Sequence, residues 1–108
     1  MNIDNNLRHL LENETKIHLA EIRFLYQKLD RQLGLNGAGV PITFGFDTDR
    51  LGAYTPDFGQ DEEEFHFSLL FIGYCVAKPL SKDDRMDLYK HEYAHYMQYN
   101  MDIPDKYN

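Results

Sequence analysis

The distribution of glycine and proline divides this chain into segments with different folding preferences. Neither residue occurs from 3 to 33, whereas five of the seven glycines lie in residues 34–52. In the first segment leucine and isoleucine recur at spacings that predict an amphipathic helix, and Gly34 is a typical residue at a helix C-terminus. The polar run at residues 12–15 interrupts this pattern. The segment is therefore one helix, or two helices with Thr15 as the N-cap of the second.

The middle of the chain predicts a small sheet of three strands. Residues 41–46 alternate and are rich in β-branched and aromatic side chains, and residues 51–54 form a short second strand. Residues 65–72 predict a third strand that is apolar on both faces towards its end. A strand of that kind is typical of the centre of a sheet or of a covered position.

The last part of the chain predicts a helix of about twenty residues. Ser81 followed by Asp84 is a start signal close to a capping box, and the apolar pattern continues to the neighbourhood of Asn100 before Pro104. The order of elements, α-(α)-β-β-β-α, predicts an α+β domain. In such a domain we expect the helices to cover one face of the small sheet.

The length and charge of the chain restrict its functional class. Its 108 residues are sufficient for one domain spanning residues 1–108. With 18 acidic and 11 basic residues, the net charge of −7 argues against binding of nucleic acids or anionic membranes by this domain. No segment is apolar enough to span a membrane, the N-terminus lacks a signal-peptide pattern, and the lone Cys75 excludes an intrachain disulfide. We therefore expect a cytoplasmic domain.

The predicted last helix contains the motif H-E-x-x-H, formed by His91-Glu92-Tyr93-Ala94-His95. Residues at i and i+4 share one helix face, so both imidazoles can reach the same metal ion. Glu92 is displaced by about 100° around the helix, which places its carboxylate beside the metal. There it can take a proton from the attacking water as a general base. The motif predicts a Zn2+ site with His91 and His95 as ligands and Glu92 as the catalytic residue.

A simpler explanation of the motif is an amphipathic helix whose two histidines face solvent or a partner. The composition of the chain gives roughly 0.014 chance occurrences of the motif. The motif also lies in a segment that is predicted to be helical on other grounds, with a β-rich segment upstream. We therefore favour the metal site.

Around this motif the chain resembles the SprT-like (Spartan-type) zinc metallopeptidases of the zincin class. The resemblance covers roughly residues 20–100 and includes Arg-Leu-Gly-Ala-Tyr at 50–54, Phe-Ser-Leu-Leu at 67–70 and Lys-His-Glu-Tyr-Ala-His at 90–95. It implies a zincin-like fold, zinc held by His91 and His95, and hydrolysis of a protein or peptide substrate with Glu92 as base. It also implies that the substrate adds as a strand to a sheet edge beside the metal. Family members that act on DNA-bound proteins usually carry basic or zinc-ribbon parts, and this acidic chain has neither.

The third zinc ligand is the open point of this resemblance. Catalytic zinc generally takes three protein ligands and a water molecule, and the family implies a histidine about a dozen residues after the second. Residues 96–108 contain no histidine. The ligand lies beyond Asn108, or Asp102 or Asp105 replaces it, or His66 on the third strand approaches the metal. We favour the first and expect a histidine soon after Asn108, with His66 facing solvent or satisfied in the sheet.

Two other classes of function fit the same residues. A non-catalytic or regulatory zincin-like module of the ImmA/IrrE type would keep the motif and act through a protein partner. The other class is an interaction domain without a metal.

Two further patterns predict where particular side chains lie in the fold. Tyr89, Tyr93, Tyr96 and Tyr99 cluster along the last predicted helix. This spacing is more typical of a packed core or interface than of a catalytic role. His18 follows Glu14 by four residues, which predicts a surface pair on the first helix.

Overall fold

The computed structural model describes residues 2–57, 59, 62–73 and 80–101, and within these ranges it contains three helices and one three-stranded sheet. The elements in chain order are α1 (Asn2–Leu33), a 3-10 turn (Gly37–Gly39), β1 (Ile42–Gly45), β2 (Gly52–Thr55), β3 (Glu64–Ser68), α2 (Leu69–Ile72) and α3 (Lys82–Met101). This order confirms the predicted α+β class. None of the helices in the described ranges combines the length and apolarity that a membrane crossing requires.

Helix α1 is continuous through the polar run at residues 12–15. The Thr15 hydroxyl donates a hydrogen bond to the Leu11 carbonyl at 2.7 Å, a bond that a threonine makes inside a helix. Thr15 is therefore not an N-cap, and the two-helix alternative is wrong. The helix ends where the sequence predicts, because Gly34 adopts a positive φ of 68° and its N–H bonds to the Asp30 carbonyl at 2.7 Å.

The three strands form a mixed sheet in the order β1-β3-β2, with β3 in the centre as predicted. Strand β3 pairs parallel to β1 and antiparallel to β2. Phe65 and Phe67 lie on one face of β3 and are fully buried, whereas His66 lies between them on the opposite face.

The third strand is shorter than the sequence predicts. It ends at Ser68, and residues 69–72 form the helical turn α2 instead of continuing the strand. The Ser68 hydroxyl accepts a hydrogen bond from the Leu70 N–H at 3.3 Å and donates one to the Asp47 carbonyl at 2.7 Å. It therefore caps α2. Leu69 and Ile72 are both buried on this turn, and a short apolar run does not distinguish a buried strand from a buried helical turn.

Helices α1 and α3 cover one face of the sheet, as predicted. Tyr26 of α1 packs against Phe65 with ring centroids 4.8 Å apart, and Tyr89 of α3 packs against Phe67 at 5.2 Å. Among the tyrosines of α3, the expected core position is confirmed for Tyr89, Tyr93 and Tyr96, which are at most 5% exposed. Tyr99 is exposed.

The predicted start of α3 is confirmed by the Asp84 N–H, which bonds to the Ser81 hydroxyl at 3.2 Å.

The hydroxyls of the buried tyrosines join α1 to α3. Tyr26 donates to the carbonyl of Tyr89 at 2.7 Å. Tyr89 donates to Glu21 at 3.0 Å, and Tyr93 donates to Asp30 at 2.6 Å. The helices are therefore held together by directed polar bonds as well as by ring packing.

His18 is buried, so its predicted surface position is wrong. The predicted pairing is present, since Nε2 lies 3.1 Å from a Glu14 carboxylate oxygen. However, His18 is only 4% exposed, because it shares the core-facing side of α1 with Ile22 and Tyr26. Its Nδ1 forms no hydrogen bond within the described part of the chain and lies 3.9 Å from a Glu21 oxygen.

The strongest ion pair between the helices predicts a pH-dependent stability. Arg85 binds both carboxylate oxygens of Glu21, at 3.0 and 3.1 Å. Burial raises the pKa of Glu21, but the hydrogen bonds from Arg85 and Tyr89 and the charge of Arg85 outweigh it, so the pKa lies below its ordinary value of 4.5. This stabilisation is fully present above pH 4.5 and is lost as the pH falls below it.

We expect Glu21→Gln to lower the free energy of unfolding by about 1.5–3 kcal/mol at neutral pH. Urea unfolding followed by circular dichroism over a pH series measures this difference, with the exposed Glu12→Gln as control. The difference between wild type and Glu21→Gln should shrink as the pH falls below 4.5. A difference that stays constant into strongly acidic solution would contradict the role of this ion pair.

Candidate metal centre

Helix α3 presents the two motif histidines together on its exposed side. His91 and His95 lie one turn apart and are both exposed. Their rings are perpendicular, with centroids 4.7 Å apart, and their Nε2 atoms approach to 3.2 Å. The structure thus brings together the pair that the sequence predicts as metal ligands.

The separation of the two Nε2 atoms fits coordination of a single metal ion. Two nitrogens that are each about 2.05 Å from a tetrahedral zinc ion lie roughly 3.3 Å apart. The observed 3.2 Å between His91 and His95 matches this value. The same distance suits an N–H···N hydrogen bond when one of the nitrogens is protonated. In both cases the nitrogens point to a common region next to the helix.

Glu92 is buried beside this pair. It is 5% exposed, and within the described part of the chain its carboxylate forms no hydrogen bond. Burial raises the pKa of Glu92, while the charges of His91 and His95 oppose the shift. Burial and the negative charge of Glu92 also raise the pKa of Tyr26. A raised pKa makes a carboxylate a stronger base.

Strand β2 lies along the second half of the motif helix. The ring of Tyr54 packs edge-on against Tyr96 with centroids 5.7 Å apart. The Tyr54 hydroxyl donates to Glu63 at 2.5 Å and accepts from the Asn100 side chain at 3.4 Å. Burial and the hydrogen bond to Glu63 raise the pKa of Tyr54, so its hydroxyl stays protonated as a donor. In the described sheet β2 has β3 as its one neighbour, and it lies against the side of α3 that carries Tyr96 and Asn100.

Sequence reasoning missed this contact between Tyr54, Glu63 and Asn100. The only signal in the sequence was the position of Tyr54 in residues 50–54, a segment that contributes to the family resemblance. No local pattern indicates that Tyr54 meets Asn100, because the two residues are 46 positions apart.

The structure places His66 in a different set of contacts. Its Nδ1 shares a hydrogen bond with the Thr43 hydroxyl at 2.7 Å, and its Nε2 shares one with an Asp47 oxygen at 2.6 Å. The hydrogen bond with His66 lowers the pKa of Asp47. His66 is thus satisfied at the sheet, the position that we favour for it from sequence. Asp102 and Asp105 lie outside the described residues, as does Cys75.

His91 and His95 are the two candidate metal ligands within the described residues. Within residues 2–57, 59, 62–73 and 80–101, no group of three or more His, Cys, Asp or Glu side chains is arranged to hold one metal ion. The described site therefore offers two of the three protein ligands that catalytic zinc generally takes.

Comparison with known proteins gives no relative for this chain: no family model, curated sequence or solved structure matches it. The function must therefore be argued from the residues of the site.

The burial of Glu92 predicts that this carboxylate destabilises the fold at neutral pH. A carboxyl group whose pKa is raised on folding stabilises the fold at a pH below its ordinary pKa, here 4.5. This stabilisation is lost as the pH rises and the buried group becomes charged. In the presence of a chelator, we expect Glu92→Gln to be more stable than wild type at neutral pH by about 1 kcal/mol.

The pH series identifies the cause of this gain. The advantage of Glu92→Gln over wild type should disappear below pH 4.5, and the exposed Glu62→Gln should show no comparable gain at any pH. Thermal unfolding followed by circular dichroism measures all three proteins. A variant that is less stable than wild type at neutral pH would contradict the destabilising role of Glu92.

Proposed function

We propose that this chain is a zinc-dependent metallopeptidase domain of zincin-like fold, in which His91 and His95 bind Zn2+ and Glu92 is the general base. The observation that carries the proposal is the 3.2 Å separation of the two Nε2 atoms, with Glu92 buried beside them. An i,i+4 histidine pair with a carboxylate at the second position is the arrangement that metal-assisted peptide hydrolysis uses.

The proposed chemistry assigns a separate task to each residue. A bound zinc ion supplies a Lewis acid that polarises the scissile carbonyl and lowers the pKa of a water molecule. His91 and His95 would hold the ion through their Nε2 atoms. The Glu92 carboxylate accepts a proton from the attacking water as the water oxygen bonds to the carbonyl carbon. It then delivers that proton to the amine nitrogen as the C–N bond breaks.

The edge strand β2 supports binding of an extended peptide. In the described sheet β2 pairs with β3 on one side only, and Tyr54 of β2 contacts Tyr96, which follows Glu92 by one helical turn. A peptide added along this edge would form main-chain hydrogen bonds that do not depend on its sequence. The proposed substrate is therefore an extended segment of a protein or peptide.

Zinc binding is the first test. We expect the chelator-treated chain to bind one zinc ion in isothermal titration, and we expect excess zinc to raise the thermal midpoint because the ion binds only the native state. His91→Ala and His95→Ala should abolish both effects. His9→Ala is the matched control, because His9 is an exposed histidine on α1. Asp102→Ala and Asp105→Ala test the two carboxylates that follow the motif helix in sequence.

The outcome of this titration separates the classes of function. If neither this chain nor a longer chain extended past Asn108 takes up zinc, the proposal is contradicted and an interaction domain without a metal remains. Stoichiometric zinc binding without any peptidase activity would favour the regulatory zincin-like module. Loss of zinc in only one of the two aspartate variants would identify the third ligand.

Hydrolysis is the second test. With an unstructured protein such as fluorescently labelled casein, we expect zinc-dependent cleavage that Glu92→Gln reduces by about 10²-fold or more. Glu92→Gln should retain stoichiometric zinc, because Glu92 is assigned to proton transfer and not to coordination. Glu62→Gln should keep full activity. Cleavage that persists in Glu92→Gln would overturn the assigned base.

A further inference from the structure

The outer face of α1 carries a stripe of large apolar side chains. Leu10, Ile17 and Phe24 are 45%, 60% and 74% exposed. They are seven residues apart, so they lie in line on the side of the helix that faces away from the core. Exposed apolar side chains that are contiguous in this way are typical of a binding surface.

The same face of α1 is basic. Lys28 and Arg31 are exposed and lie within about 40° of this stripe around the helix axis. At about 100° per residue, Glu14 and Glu21 lie at one margin of this face, and Glu14 is paired with His18 at 3.1 Å. The Glu21 carboxylate is bound by Arg85 at 3.0 Å, so its charge is neutralised. A chain of net charge −7 thus has one helix face that is both apolar and positive.

A groove between α1 and the start of α3 adjoins this face. It has a volume of about 490 Å3, and its walls include Ile17, Phe24, Leu25 and Met86, with Lys28 and Lys82 at its rim. Glu21 also lines the groove, but its carboxylate is neutralised by Arg85 at 3.0 Å. The groove therefore combines apolar walls with one lysine from each helix.

We propose that this groove, together with the outer face of α1, binds an acidic amphipathic segment of a partner protein. A large apolar side chain of the segment inserts between Phe24 and Met86, and its carboxylates meet Lys28 and Lys82. This is helix-in-groove or peptide-in-groove recognition, in which apolar anchors give affinity and charge gives selectivity. The proposal does not depend on the metal centre, which lies further along α3.

Two other occupants fit the observations less well. A second copy of this chain would bring two basic α1 faces together, and like charges across an interface are repelled. A flat anionic lipid surface would meet the cations of α1 but would leave a concave groove of about 490 Å3 unfilled. A protein segment with a projecting apolar side chain satisfies both the shape and the charge.

The test uses a labelled synthetic peptide with leucine on one helical face and glutamate on the other. We expect the zinc-free and zinc-loaded chain to bind this peptide equally in fluorescence anisotropy, with affinity that falls as salt is added. The matched peptide with lysine in place of glutamate should bind at least about tenfold more weakly. Phe24→Ser and Lys82→Glu should each weaken binding of the acidic peptide by about tenfold or more.

The control is Lys90→Glu, which makes the same change in net charge at an exposed site of α3 that does not line the groove. It should bind the acidic peptide as wild type does. Circular dichroism verifies that each variant is folded. If Phe24→Ser does not fold, the pair Lys82→Glu and Lys90→Glu carries the comparison.

Several results would overturn the proposal. These are no binding of the acidic peptide by folded wild type, equal binding of the acidic and basic peptides, and equal losses in Lys82→Glu and Lys90→Glu. Light scattering that shows a dimer dissociated by Phe24→Ser would instead assign the face to a second copy. Lysine-dependent binding to phosphatidylcholine vesicles containing phosphatidylserine, without competition from the acidic peptide, would assign it to lipid.

Discussion

The hydrogen bonds from the buried tyrosines of α3 to the acidic residues of α1 determine how the helices sit on the sheet. Tyr89 and Tyr93 are at most 2% exposed, and a buried hydroxyl without a partner costs about 1–3 kcal/mol. Glu21 and Asp30 supply the partners at 3.0 and 2.6 Å. These directed bonds fix the rotation of α3 about its own axis. Because the tyrosines face inward, His91 and His95 must face outward, and Glu92 lies at the boundary between the two sides.

Asp30 extends this constraint to the start of the sheet. Besides the Tyr93 hydroxyl, its carboxylate accepts the N–H groups of Gly37 and Ala38 at 2.7 and 2.9 Å. One side chain thus connects the end of α1, the turn that leads into β1, and the motif helix. A Cβ at Gly37 would lie 2.5 Å from the Tyr93 ring, so the turn approaches α3 as closely as it does only because residue 37 is glycine.

Local patterns in the sequence predicted those parts of the fold that depend on nearby residues. Gly34 marked the end of α1, Ser81 marked the start of α3, and the i,i+4 spacing placed both motif histidines on one face. The strand predicted for 65–72 was wrong in its second half, because Leu69 and Ile72 suit a buried strand and a buried helical turn equally. Contacts between distant residues, such as that of Tyr54 with Asn100, leave no local trace.

The interactions that hold the core also produce the charge of the outer surface. Glu21 and Asp30 are acidic residues of α1, and both are turned towards α3, where Arg85 and the tyrosine hydroxyls bind them. The cations of the same helix have no such partners in the core and remain exposed. The net charge of −7 therefore does not describe the outer surface of α1, where Glu21 and Asp30 bind α3 and the cations are exposed. The bonds from Arg85 and Tyr89 that fix α3 against α1 thus also neutralise Glu21 in the groove where Lys28 and Lys82 lie.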